Sequence, residues 1–209
     1  MDSSEEILLR CARDLGHIDL VILTVSALRA DDIDEKAMRL VLESRRPGVR
    51  ALRAAWGEAR RELQSPGEVI LYLFHRAIDV PVTPQATLCD ERGVVLGQAD
   101  LHVTGTRSLH EYDGAVHRDM AQHRKDLRRD RGWAGGGYVR RGFTLDDLLN
   151  HSLTVMHEID RSLGRPHDHR RHERWVAQVR NSLYSAVGRE RLMNRWHRAM
   201  GVVDWARTP

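Results

Sequence analysis

The chain has 209 residues, enough for one domain with extensions and a sizeable core. Charged residues make up 30% and aromatics 5%, and the longest apolar runs fall short of the roughly eighteen residues a spanning helix needs, which excludes a membrane-spanning class. The net charge of +3 is slight, and nearly every fixed cation is arginine, since Lys36 and Lys125 are the only lysines. Such a bias suits bidentate phosphate recognition, and it equally suits a GC-rich coding sequence. The acidic opening, Met1 to Glu6, lacks the basic stretch of a signal peptide. Cys11 and Cys89 are far apart and outside any C-x-x-C spacing, so they are expected as free thiols in a reducing cytoplasm.

In chain order, Ser3-Ser4-Glu5-Glu6 fits a capping box ahead of a periodic segment with Ile7, Leu8, Cys11 and Leu15. Residues 18–28 are apolar and β-branched, ambiguous between helix and strand, with context favouring helix. A third helix starts after Asp34, and Pro47-Gly48 separates it from a fourth carrying Leu52, Ala55, Trp56 and Leu63. Ser65-Pro66-Gly67-Glu68 opens the next helix with an N-cap serine, an N1 proline and an N3 glutamate. That helix is apolar nearly all round and is expected to be buried. After an extended connector at 80–84, residues 85–89 and 94–103 flank Asp90-Glu91-Arg92-Gly93 as a hairpin, with a bulge expected at Gly97. Residues 107–113 form a third strand. A polar, basic helix follows over 119–134, then a short strand at 138–143, and a helix opened by the capping box Thr144–Asp147 that runs to Leu163. The expected division is a helical N-terminal region over 1–64, an α/β domain over 65–165 and a helical appendage over 166–209.

The chemistry concentrates at 97–117. Side chains alternate along a strand, so Asp100 and His102 share one face, and Leu109, Glu111 and Asp113 share another. Acids are depleted in strands. Three of them on neighbouring strands, followed by Gly114 and His117, suit a divalent metal bound through oxygen, as Mg2+ (or Mn2+) is. The metal set expected is Glu68, Asp100, Glu111 and Asp113. The catalytic set is Asp100, Glu111 and His117, with His117 moving a proton. Arg124, Lys125 and Arg129 on the basic helix suit phosphate clamping. Each residue has a plainer use. Glu68 is explained by capping alone, and Asp113-Gly114 reads as an ordinary turn. The basic helix reads as a solvated face.

Five segments in order carry a resemblance. They are Ser65-Pro66-Gly67-Glu68, Gly97–Leu101, Glu111-Tyr112-Asp113-Gly114 with His117, Arg124–Asp130 and Gly137–Arg141. Together they resemble the very-short-patch-repair-like endonuclease domains of the PD-(D/E)XK, or restriction-endonuclease-like, superfamily, and in particular actinobacterial relatives described as AbiEi-type antitoxin-like. The resemblance spans about residues 45–165. It implies an α/β core of helix, three-stranded antiparallel meander, helix, strand and helix, and Mg2+-dependent hydrolysis of DNA phosphodiesters. Glu68 would be the helix acid, Asp100 the first acid of the motif and Glu111 the second. The superfamily's lysine, two residues after the second acid, is Asp113 here, and His117 or Lys125 would stand in for it. A catalytically idle nuclease fold, used as a nucleic-acid-binding or antitoxin-like regulator, is the alternative. DNA is the expected partner, and a homodimer or a toxin-like protein partner stays open.

Overall fold

The computed structural model describes residues 2–114 and 132–201. They form two compact units. One comprises residues 1–61 with 176–209, and the other residues 62–175.

The first unit is helical. It contains α1 (Ser4–Cys11), α2 (His17–Arg29), α3 (Glu35–Glu43), α4 (Val49–Glu58) and, from the C-terminal part of the chain, α9 (Ala186–Ala199). The ambiguous segment 18–28 is helix α2, where Ile18, Leu20, Val21 and Val25 are buried. Burial against neighbouring helices outweighs the modest helix penalty of its β-branched residues. The expected appendage over 166–209 is divided, because residues 176–201 pack with the N-terminal helices. The joint is specific. Both carboxylate oxygens of Asp19 accept the Leu183 N–H, at 3.1 and 3.0 Å. Burial raises the Asp19 carboxyl above the usual range, opposed by the Leu183 and Gly16 backbone bonds. Gly16 lies so close to Asn181 that a Cβ would come within 2.2 Å of its carbonyl oxygen.

The second unit is built on a four-stranded sheet in the order β1 (Val82–Cys89), β2 (Val95–Val103), β3 (Ser108–Tyr112), β4 (Val139–Phe143). The first three strands are an antiparallel meander, and β4 runs parallel to β3. The extended connector turns out to be part of β1, which places Pro84 inside a strand. Proline is tolerated there because, among the described residues, β1 is an edge strand of the sheet. The hairpin turn forms as expected: Asp90 Oδ1 accepts the N–H groups of Arg92 and Val94, and Gly93 takes φ +80°. The ladder slips between Leu88 and Cys89, opposite Gly97, whose φ is +150°. His117 and most of the expected basic helix, including Arg124, Lys125 and Arg129, lie outside the described residues. Its end is described, with residues 132–135 helical and Trp133 buried against Leu88, Ala99 and Leu109.

Helix α5 (Pro66–Ala77) precedes the sheet and is buried along nearly its whole length. Beyond β4, the expected single helix is broken in two, α6 (Leu145–Leu149) and α7 (Ser152–Ser162), with Asn150 and His151 between them. The Thr144–Asp147 capping box starts α6 as expected. Residues 169–175 of α8 (His169–Arg180) complete the unit, where Trp175 packs edge-on to Phe74 at 5.3 Å and donates to the Leu148 carbonyl.

Several C-terminal arginines have structural work. Helix α5 ends with carbonyls that no helical N–H reaches. Arg174 donates to Ala77 O, Arg165 to Ile78 O and Asp79 O, and Arg171 to Ile78 O. Three guanidinium groups therefore close the negative end of the helix dipole. Arg165 and Arg171 also meet Asp160, which is fully buried and accepts from His167 as well.

Candidate acidic site on β2 and β3

The meander brings Asp100 and Glu111 together. The last rungs of the β2–β3 ladder are His102 to Leu109 and Leu101 to His110, so the next position sets Asp100 against Glu111. There the backbone pairing stops and side chains take over. The Asp100 N–H donates to Glu111 Oε1 at 2.8 Å, and the Tyr112 N–H donates to Asp100 Oδ2 at 2.9 Å. Two backbone donors at the point where the strands part are thus satisfied by the two acids. Glu111 is 4% exposed, and Asp100 is half-buried. Two carboxyl groups held on adjacent strands make an all-oxygen locus. Those are the donors a hard divalent cation prefers.

Glu68 stands at the start of α5, on another set of bonds. Its Oε1 accepts the Ser65 hydroxyl at 3.0 Å, while Ser65 Oγ accepts the Glu68 N–H at 3.2 Å. Its Oε2 accepts the Gln64 N–H and the Gln85 side-chain N–H, both at 2.8 Å. The capping role expected from sequence is therefore present, and an unexpected partner on β1 is added. Gly67, one residue earlier, lies against the Tyr112 ring, where a Cβ would come within 2.1 Å of Cε1. That close approach seats the N-terminus of α5 beside the residue that follows Glu111.

Asp113 goes elsewhere. Its Oδ1 accepts from Arg140 Nη2 at 2.8 Å, and its N–H donates to Phe143 O. Its Oδ2 fills the space that a side chain at Gly142 would need, 1.8 Å from an ideal Cβ. Asp113 therefore fastens the end of β3 to β4, a pairing no local signal announces. His117, Arg124, Lys125 and Arg129 lie outside the described residues. Among the described residues, no group of three or more His, Cys, Asp or Glu side chains is arranged to hold a metal ion. The structure thus joins Asp100 with Glu111 and gives Glu68 and Asp113 separate partners.

Behind the acids lies a buried histidine pair. His75 of α5 and His110 of β3 meet through Nε2 and Nδ1 at 2.7 Å. His75 Nδ1 faces the Leu71 carbonyl at 2.7 Å and must donate to it, so the His75 Nε2 accepts and His110 Nδ1 carries the proton. Burial pushes His75 down to about 4, and burial with the neighbouring His75 and Arg141 pushes His110 far below its ordinary range. Both rings are neutral, and they tie α5 to the strand that carries Glu111. Sequence reasoning missed this pair because two histidines thirty-five positions apart leave no local pattern.

Among the described residues no helix is long and apolar enough to cross a membrane, and Cys11 and Cys89 are free. No family model, curated protein or solved structure matches the chain.

Proposed function

We propose that the protein is a Mg2+-dependent endonuclease of the restriction-endonuclease-like, PD-(D/E)XK type, hydrolysing DNA phosphodiester bonds. One observation carries the reading: Asp100 and Glu111 stand on neighbouring positions of β2 and β3 where the two strands separate, each bonded to a backbone N–H. The order of helix, antiparallel meander and a fourth strand parallel to the third supports it. Asp100 and Glu111 would hold Mg2+ or Mn2+, which needs few protein ligands when water and phosphate oxygens complete its shell. When bound, the ion polarises a phosphoryl oxygen and lowers the pKa of a water molecule. Glu68, at the start of α5, is assigned to the same ion as the helix acid. His117 is assigned proton transfer, and Arg124, Lys125 and Arg129 are assigned the DNA backbone.

The test uses the full chain, Asp100→Asn and Glu111→Gln. Asn and Gln keep an acceptor for the Tyr112 and Asp100 N–H groups, so the strand ends are preserved while the charge is lost. Plasmid nicking that depends on Mg2+ or Mn2+ in the wild type, and is abolished in both variants, is the expected result. Equal nicking by all three proteins, or none in the wild type at any metal concentration, sinks the nuclease reading.

A second reading rests on Asp113. At the position of the superfamily's lysine, the chain carries an acid engaged with Arg140 and fitted over Gly142. That arrangement favours an idle nuclease fold used as a nucleic-acid-binding or antitoxin-like regulator, with a homodimer or toxin-like protein as partner. DNA binding without metal-dependent cleavage, unchanged in Asp100→Asn, is its signature.

A further inference from the structure

Gln85 has a left-handed backbone, φ +47°, inside the extended strand β1. The other non-glycine residues with positive φ among those described are Asp31 and Asp79, both in turns that follow helices. Aspartate visits this region with help from its short side chain, and glutamine lacks that help. The conformation costs roughly 1 kcal/mol and persists only where surrounding contacts over-determine it.

Those contacts are on three sides. Gln85 Nε2 donates to Glu68 Oε2 at 2.8 Å, and Gln85 Oε1 accepts from Gln64 Nε2 at 3.1 Å. The Gln85 carbonyl accepts from Gln98 Nε2 of β2 at 3.0 Å. The amide presents its N–H to Glu68 and its oxygen to the Gln64 N–H. The register runs Pro84 to Leu101 and Ala86 to Ala99, so Gln85 falls opposite Asp100. Its side chain reaches the helix acid while its backbone sits across from the first strand acid.

We propose that Gln85 is a positioning residue of the acidic site. It holds the Glu68 carboxylate in one orientation and ties the start of α5 to the strand position opposite Asp100. This inference rests on the metal-dependent reading above. Helix capping does not need Gln85, because Ser65 and the Gln64 N–H hold Glu68 without it. Loss of Gln85 therefore removes the link between Glu68 and β1 while leaving the helix start intact.

The test substitutes Gln85→Gly, which accepts the positive φ without strain, and Gln85→Asn, which tolerates φ > 0 but is one methylene too short to reach Glu68. Mn2+ affinity is measured by calorimetry on each full-length protein, together with the Mg2+ concentration for half-maximal plasmid nicking and the melting temperature. The expected result is a metal affinity weakened about tenfold to a hundredfold in both variants, with a matching rise in the Mg2+ requirement. The melting temperature of Gln85→Gly is expected to be unchanged or raised. Wild-type metal affinity in a folded Gln85→Gly or Gln85→Asn overturns the positioning role and leaves the nuclease reading standing. A weakened affinity that merely tracks a fall in melting temperature in both variants also overturns it, since that is a structural role alone. Absence of Mn2+ binding and nicking in the wild type overturns both.

Discussion

Asp160→Asn is the sharpest test of how the sheet unit is held together. The Asp160 carboxylate is fully buried and accepts from Arg165 Nε at 2.6 Å, from Arg171 Nη1 and Nη2 at 3.0 and 3.1 Å, and from His167 Nδ1 at 3.0 Å. Burial alone would raise its pKa. The bonds from His167 and Arg165, with the charges of Arg165 and Arg171, outweigh burial and hold it below the usual carboxylate range. Asn keeps the volume but removes the charge and turns one oxygen into a donor that faces donors. Arg171 is only 6% exposed and would be left without its counter-charge. Breaking a buried pair from one side costs about 3–5 kcal/mol. With an m-value of about 2 kcal/mol per molar urea, the midpoint falls by about 1.5–2.5 M, read by circular dichroism. Replacing Asp160 and Arg171 together by leucine should recover much of the loss, because Arg165 and His167 reach solvent. A loss below about 1 kcal/mol in Asp160→Asn, or no recovery in the double variant, would refute the view that this ion cluster fastens α7 to the end of α5.

Two further outcomes follow from the same geometry. His75 titrates near its ordinary value of 6.5 when unfolded and about 4 when folded, so the unfolded chain binds the extra proton as pH falls. Its contribution is complete above pH 6.5 and is lost progressively down to pH 4; between pH 7.5 and 5.5 it loses about 1.4 kcal/mol. Replacing His75 and His110 together by leucine should remove that slope, and identical urea midpoints against pH for variant and wild type would argue against a neutral pair. Asp113→Lys sets a second cation against Arg140 and removes the carboxylate that fills the space over Gly142. A loss of about 1–3 kcal/mol by thermal melting, with no gain in nicking, is expected; a stable, more active variant would reverse the assignment of Asp113.

Local rules account for what was legible in the sequence. Caps at Ser3, Ser65 and Thr144 depend on contacts within four residues, and the structure has all three. The hairpin at Asp90 and Gly93 depends only on turn chemistry and positive φ. Strand alternation was enough to anticipate that Asp100 and Glu111 would meet, since a meander fixes register through short turns. The division of the C-terminal segment was not legible, because Asp19 and Leu183 are joined across 164 positions.

The same limit applies at the site. The acid pair on β2 and β3 is a property of sequence, written in two neighbouring strands and the turn between them. The partners of the other acids are a property of the tertiary fold. Glu68 and Gln85 meet only when α5 lies along β1, and Asp113 finds Arg140 only once β4 has paired in parallel with β3. Periodicity and capping act over a few residues and report which side chains share a face. Hydrogen bonds between distant elements depend on packing, which no local pattern encodes.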